Sequence, residues 1–235
     1  MSAMLLLLRR LPTSNGHRVL VLPGFSASDR STDPLRNLLR QLDYRTYRWD
    51  LGVNVGRMRR ILEGLVGKLD QTYQRRKGPV PIVGCSLGGI HARDLAHART
   101  DVVCQVVARD SHIQMLEEDA PTARPTWEAL SRCHSSDFGQ EVRDLYRPPV
   151  TIPNTSSYSR IDGVVSWQAC LVPRTATRAN VWIFRSRWVG LNSAAIADRL
   201  ARGRTSCRRG TCVARSLRQS IPTLNVYSPR RLPDQ

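Results

Sequence analysis

The sequence predicts an α/β protein, a mostly parallel sheet with helices on both faces. Three observations carry this. Short apolar runs recur as candidate buried strands: "HRVLVLPGF", "VPIVG", "VVCQVVA" and "NVWIFRS". Between them lie segments with apolar residues at helical spacing, such as "STDPLRNLLRQL" and "MRRILEGLVGKLDQTY". The two kinds of segment alternate, as expected of parallel strands joined by crossover helices. With 235 residues, 41% of them hydrophobic, the chain is long enough for one domain with a sizeable core.

The first strand runs into Pro23 and Gly24, a loop signal. The helix after it has Asp33 as candidate cap, Pro34 at its first position, and Leu35, Leu38, Leu39 and Leu42 on one face. "DYRTYRWDL" reads as a second strand, followed by a loop from Gly52 to Gly56 and a helix from Met58 to about Tyr73. "VPIVG" is the next strand, "SLGGIHARDLAHA" the next helix, and "VVCQVVA" another strand. From Arg109 to Pro149 the rhythm breaks, in keeping with a cap inserted over the sheet. A strand near Val150–Tyr158, a loop at Asp162 and Gly163, the strand "NVWIFRS" and a helix "NSAAIADRLA" complete the domain. The expected organisation is an N-terminal segment 1–16, a domain 17–201 with a cap at 109–149, and a basic, disordered tail 202–235.

The formal net charge is +17, carried mainly by arginine. Such a charge invites polyanions. It comes without aromatic–basic stacking patterns, zinc spacing or an RNA-binding signature, so nucleic acid is not the expected partner. The six cysteines form no C-x-x-C pair, and reduced thiols in a cytoplasmic protein are expected. The apolar run Met4–Leu8 is too short to span a bilayer and is a poor signal peptide. It reads as a short helix ending near Pro12, with weak peripheral contact to a membrane surface as the alternative.

Gly84-Cys85-Ser86-Leu87-Gly88 fits G-x-S-x-G, with Gly89 extending it. Placed between a strand and a helix, this pattern makes a nucleophile elbow, where small neighbours let the backbone turn sharply and the serine hydroxyl project. The helix opening at Leu87 aims free N–H groups at developing negative charge. A second donor is expected from the loop after the first strand, where the N–H of Phe25 or Ser26 would join that of Leu87 around an oxyanion.

"VLVLPGFSASDRSTDPLRNLL", "PIVGCSLGGIHARDLA" and "YSRIDGVVSWQAC" together resemble the α/β-hydrolase superfamily, and within it bacterial serine esterases and lipase-like members. The resemblance runs from about His17 to Ala201. It implies a serine, acid and histidine in that chain order acting on a small-molecule or lipid acyl ester, with no cofactor or metal. Ser86 matches the nucleophile and Asp162 the acid.

The histidine is missing. Where the family places it, the chain reads "FRSRWVGLNSAAIADRL", with Trp188 at the expected position, or Arg187 if the register slips by one. Neither side chain accepts a proton at neutral pH. No histidine follows Asp162. His17, His91 and His97 read as structural or surface residues, leaving His112 and His134 of the cap as the substitutes. Three readings remain: an esterase with an unconventional base, a hydrolase-fold module that binds a ligand or partner without turnover, and the product of a decayed or frame-disturbed gene, the last suggested by the patternless tail.

Overall fold

A computed structural model describes residues 11–56, 59–75, 78–113, 150–160, 165–173, 178–183 and 189–208. Six strands form one all-parallel sheet: β1 (Arg18–Leu22), β2 (Arg45–Tyr47), β3 (Val80–Cys85), β4 (Val103–Arg109), β5 (Asn154–Tyr158) and β6 (Arg178–Trp182). Their order is β2-β1-β3-β4-β5-β6. A parallel sheet needs covering on both faces. Helices α2 (Arg59–Gln74) and α3 (Leu87–Ala98) cover one face, where Ile61, Leu65, Leu69 and Leu95 pack on Leu20, Ile82 and Val106. On the other face, α1 (Asp33–Gln41) and α4 (Val189–Arg208) bring Leu35, Leu39, Ile196 and Leu200 against Val19, Val21, Val83 and Val107.

The alternating pattern therefore produces the expected layers. Small differences have local causes. Thr32, not Asp33, caps α1, and its hydroxyl donates to the Asp29 carbonyl at 2.8 Å, closing a short 3-10 turn before the helix. Helix α4 continues seven residues past the boundary expected at Ala201, and Gly203 within that extension packs closely against the Gln105 side chain of β4. Residues just ahead of β1 are tied to the domain as well: the Ser14 and Gly16 amides donate to Leu42 and Asp43 carbonyls, each at 2.9 Å. Residues 1–10, most of the cap and the tail beyond 208 lie outside the described residues.

One chemical expectation fails. Cys104, on β4, is disulfide-bonded, whereas Cys85 and Cys170 form no disulfide. Sequence spacing exposes only nearby cysteine pairs, and a bond between distant residues leaves no such trace. Strand β5 is also unusual: every residue of "NTSSY" is buried, yet none is aliphatic. Its hydroxyls are absorbed by backbone, with Ser157 Oγ donating to Ala108 O at 3.4 Å and Ser156 Oγ donating to Cys170 O at 2.5 Å.

Candidate active site

Strand order reverses direction between β1 and β3: the chain leaves β1 for β2 on one side, then returns past β1 to β3 on the other. In open α/β sheets the crevice at the carboxyl ends of such strands is where ligands bind. Here β1 ends at Leu22, just before Pro23, Gly24 and Phe25, and β3 ends at Cys85, just before Ser86.

Ser86 joins β3 to α3 with φ 50° and ψ −122°. A non-glycine residue held there stores on the order of 1–3 kcal/mol of strain. The surroundings hold it. Its N–H donates to the Arg109 carbonyl at 2.7 Å, and its carbonyl accepts from Gly89 N–H at 2.8 Å. The neighbouring glycines stand in close contact with what surrounds them. A β-carbon on Gly84 would stand 2.1 Å from the Gly88 carbonyl oxygen, and one on Gly89 would stand 2.0 Å from Ser111 Oγ. On Gly24 it would lie 3.2 Å from the Ser86 β-carbon, so the β1 loop rests directly on the serine.

Leu87 is the first residue of α3, where a backbone N–H has no intrahelical partner. Phe25 follows Gly24 in the loop against Ser86. Of the two loop amides considered, Ser26 N–H is taken, donating to the Asn54 carbonyl at 2.8 Å. That leaves the Phe25 amide as the candidate in this loop. Beside Ser86, burial pushes the half-buried Cys85 thiol up, opposed by the Arg109 guanidinium and reinforced by Asp110.

Asp162, Arg187, Trp188 and His134 lie outside the described residues. The ends of the segment carrying Asp162 are described: it leaves after Tyr158 and returns at Trp167, whose rings stack at 5.9 Å, with the Arg160 guanidinium 4.9 Å from the Trp167 ring centre. His112 is half-buried just beyond β4. His91, expected to be structural or solvated, is fully buried, its Nε2 at 3.4 Å from Asn54 Oδ1 and its ring 6.4 Å from that of Trp49.

Two residues escaped the sequence reading. Asp110 ends β4 at φ 46°, its N–H donating to Ser157 O at 2.8 Å and its carboxylate accepting from Arg109 Nε at 3.2 Å. A carboxylate just past a strand next to the elbow strand was a usable signal. Asn54, in a glycine-flanked loop, offered none. Among the described residues no group of histidine, cysteine and carboxylate side chains could hold a metal ion.

No family model matches the chain, and no curated protein matches it in sequence. Solved structures do match in fold. The chain is similar to the monoacylglycerol lipase of Paleococcus ferrophilus, with 13% identity and a TM-score of 0.55 over 82% of this chain and 97% of that one. An alpha/beta superfamily hydrolase from Oenococcus oeni PSU-1 matches with 16% identity and a TM-score of 0.53, over 83% of this chain and 94% of that one. The 2-hydroxy-6-oxo-6-phenylhexa-2,4-dienoate hydrolase of a Rhodococcus strain matches with 12% identity and a TM-score of 0.54, over 83% and 92%. The protein has the α/β-hydrolase fold. Its structural neighbours are lipases, esterases and other hydrolases, whose substrates differ among themselves.

Proposed function

We propose that the protein is a serine carboxylester hydrolase of lipase-like type, acting on a small-molecule or lipid acyl ester. The observation that carries this reading is Ser86 at positive φ on the strand-to-helix turn, at the switch point of the sheet and against Gly24. Strain of this kind persists only where surrounding structure enforces it, and it concentrates at reactive residues. Ser86 Oγ attacks the ester carbonyl carbon while its proton passes to a base. The N–H groups of Phe25 and Leu87 hold the oxyanion. Collapse breaks the C–O bond and the alcohol leaves with the proton. Water then repeats the sequence on the acyl-enzyme, releasing acid and regenerating Ser86. Asp162 is the acid that orients the base.

The base is the weak point. Removing it from a serine triad costs on the order of a million-fold in turnover. Trp188 at the expected histidine position supports a second reading, a hydrolase-fold module that binds an acyl ligand with negligible turnover. Hydrolysis of p-nitrophenyl butyrate by the natural chain, Ser86→Ala and Trp188→His separates them. Turnover by the natural chain that Ser86→Ala abolishes supports the enzyme, with His112 and His134 as the next residues to replace. A silent natural chain with Ser86-dependent activity in Trp188→His supports the binding module built on an intact nucleophile. Activity that survives Ser86→Ala sinks both.

The cytoplasmic location expected from the cysteines loses its support at Cys104, since disulfides persist mainly in oxidising compartments. No described helix is long and apolar enough to cross a membrane.

A further inference from the structure

We infer that Asn54 is a positioning residue for the oxyanion donors, locking the loop that carries Phe25 to the helix that carries Leu87. The inference rests on the hydrolase reading and adds to it a residue outside the serine, acid and histidine set.

Asn54 is completely buried in the loop after β2, yet its polar groups are engaged at several points. Its Nδ2 donates to the Pro23 carbonyl at 2.9 Å. Its backbone carbonyl accepts from Ser26 N–H at 2.8 Å, and its own N–H donates to the Ala27 carbonyl at 2.9 Å. These three bonds bracket Phe25 on both sides, and within the bracket Ala27 N–H donates to the Gly24 carbonyl at 3.2 Å, so the peptide that presents the Phe25 N–H cannot turn over without breaking that bond. Burial makes each break costly, because the freed group finds no water.

The carboxamide oxygen completes the link. Asn54 Oδ1 accepts from Gly56 N–H at 3.3 Å and faces His91 Nε2 at 3.4 Å. His91 lies four residues after Leu87, one turn along the same helix. One carboxamide therefore joins both halves of the oxyanion site: Nδ2 reaches the β1 loop, and Oδ1 reaches the helix that begins at Leu87. The buried Trp49 ring beside His91 backs the imidazole, and Trp49 Nε1 donates to Gly52 O at 2.9 Å within the same loop. Oxyanion donors act only if they are already aimed where charge develops, so the bracket sets their effectiveness.

The test is the rate at which a fluorophosphonate ester labels Ser86, since phosphonylation of the hydroxyl depends on the same donors as acylation. It is measured on the natural chain and on a Trp188→His background, alongside hydrogen exchange of the 22–28 amides. Asn54→Ala should lower the limiting labelling rate by about 10- to 100-fold, leave the half-saturating probe concentration within about twofold, and speed exchange at Ser26. His91→Gln, whose amide can stand where Nε2 does, should keep most of the rate, and His91→Leu should lose it. Equal labelling by a folded Asn54→Ala and its parent overturns the assignment. Should Asn54→Ala not fold, equal labelling of His91→Gln and His91→Leu overturns it instead. Absence of Ser86 labelling in the natural chain and in Trp188→His alike would sink the hydrolase reading itself, and this assignment with it.

Discussion

Gly88 lies so close to Leu22 that a β-carbon built on it would stand 2.6 Å from the Leu22 carbonyl oxygen, and as close to that of Pro23. Both neighbours are backbone, which cannot swing aside as a side chain can. The first turn of α3 is thus seated directly on the end of β1, with no side chain between them, and the loop at Gly24 lies against Ser86. Gly88→Ala should lower stability by about 3 kcal/mol or more. Gly67, on α2, has nothing within 4 Å of its β-position. Gly67→Ala should therefore raise stability by about 0.5–1 kcal/mol. Urea unfolding of the two variants checks the contrast. Equal effects of the same sign would mean that the Gly88 contact is not the constraint described here.

Ser86 allows the backbone strain to be separated from the chemistry. Both Ser86→Ala and Ser86→Gly remove the hydroxyl, and both should be inert. Only glycine relieves the positive φ. Ser86→Gly should be more stable than Ser86→Ala by about 1 kcal/mol, read as a higher urea midpoint. An Ala variant as stable as the Gly variant would show that the turn carries no strain.

Legibility followed burial. The aliphatic runs of β1, β3 and β4 and the leucine face of α1 stood out because their period reports which side faces the core. The elbow stood out because its glycines are mandatory at 2.0–2.6 Å contacts, and such positions leave a pattern in sequence. Asn54 left none: its contacts come from five partners spread over residues 23–56 and 91, and no local window contains them. The same holds for Cys104, which nothing in the residues around it marks as disulfide-bonded. The end of α4, beyond Ala201, lacks the amphipathic spacing that would mark it.

The cysteines divide into testable classes. Cys104 is disulfide-bonded, whereas Cys85 and Cys170 form no disulfide. Peptide mapping without reductant should recover Cys104 in a cross-linked peptide and Cys85 and Cys170 in linear ones. The Cys85 thiol, held up by burial, should resist iodoacetamide at neutral pH until the chain is unfolded. Rapid alkylation of native Cys85 would mean that Arg109 outweighs burial and that the thiol beside Ser86 is reactive.

Arg99 bridges Asp70 on α2 and Asp101 ahead of β4, with Nε and Nη2 donating to the two Asp101 oxygens at 3.0 Å each. The Arg99 hydrogen bonds hold the Asp101 carboxyl below its ordinary range. A carboxyl depressed on folding adds stability above its unfolded pKa and loses it as pH falls through the folded one. Arg99→Gln should be less stable than the natural chain at about pH 6, and the gap should narrow at about pH 3. The pair is exposed enough that the effect is small. A gap that widens on acidification would contradict the ion-pair account.

The buried, aliphatic-free strand β5 divides the sheet into unequal partners. From β1 to β4 the strands are held by interdigitated Val, Leu and Ile. Beyond β4, the β5–β6 edge relies on ladder bonds and on hydroxyls tied to carbonyls, and β6 is only half covered. Such an edge has its own, lower opening free energy. Ser86 and the Gly24 loop that lies against it belong to the part held by aliphatic packing. Sequence change beyond β4 can therefore accumulate while that serine stays mounted in a frame that still folds.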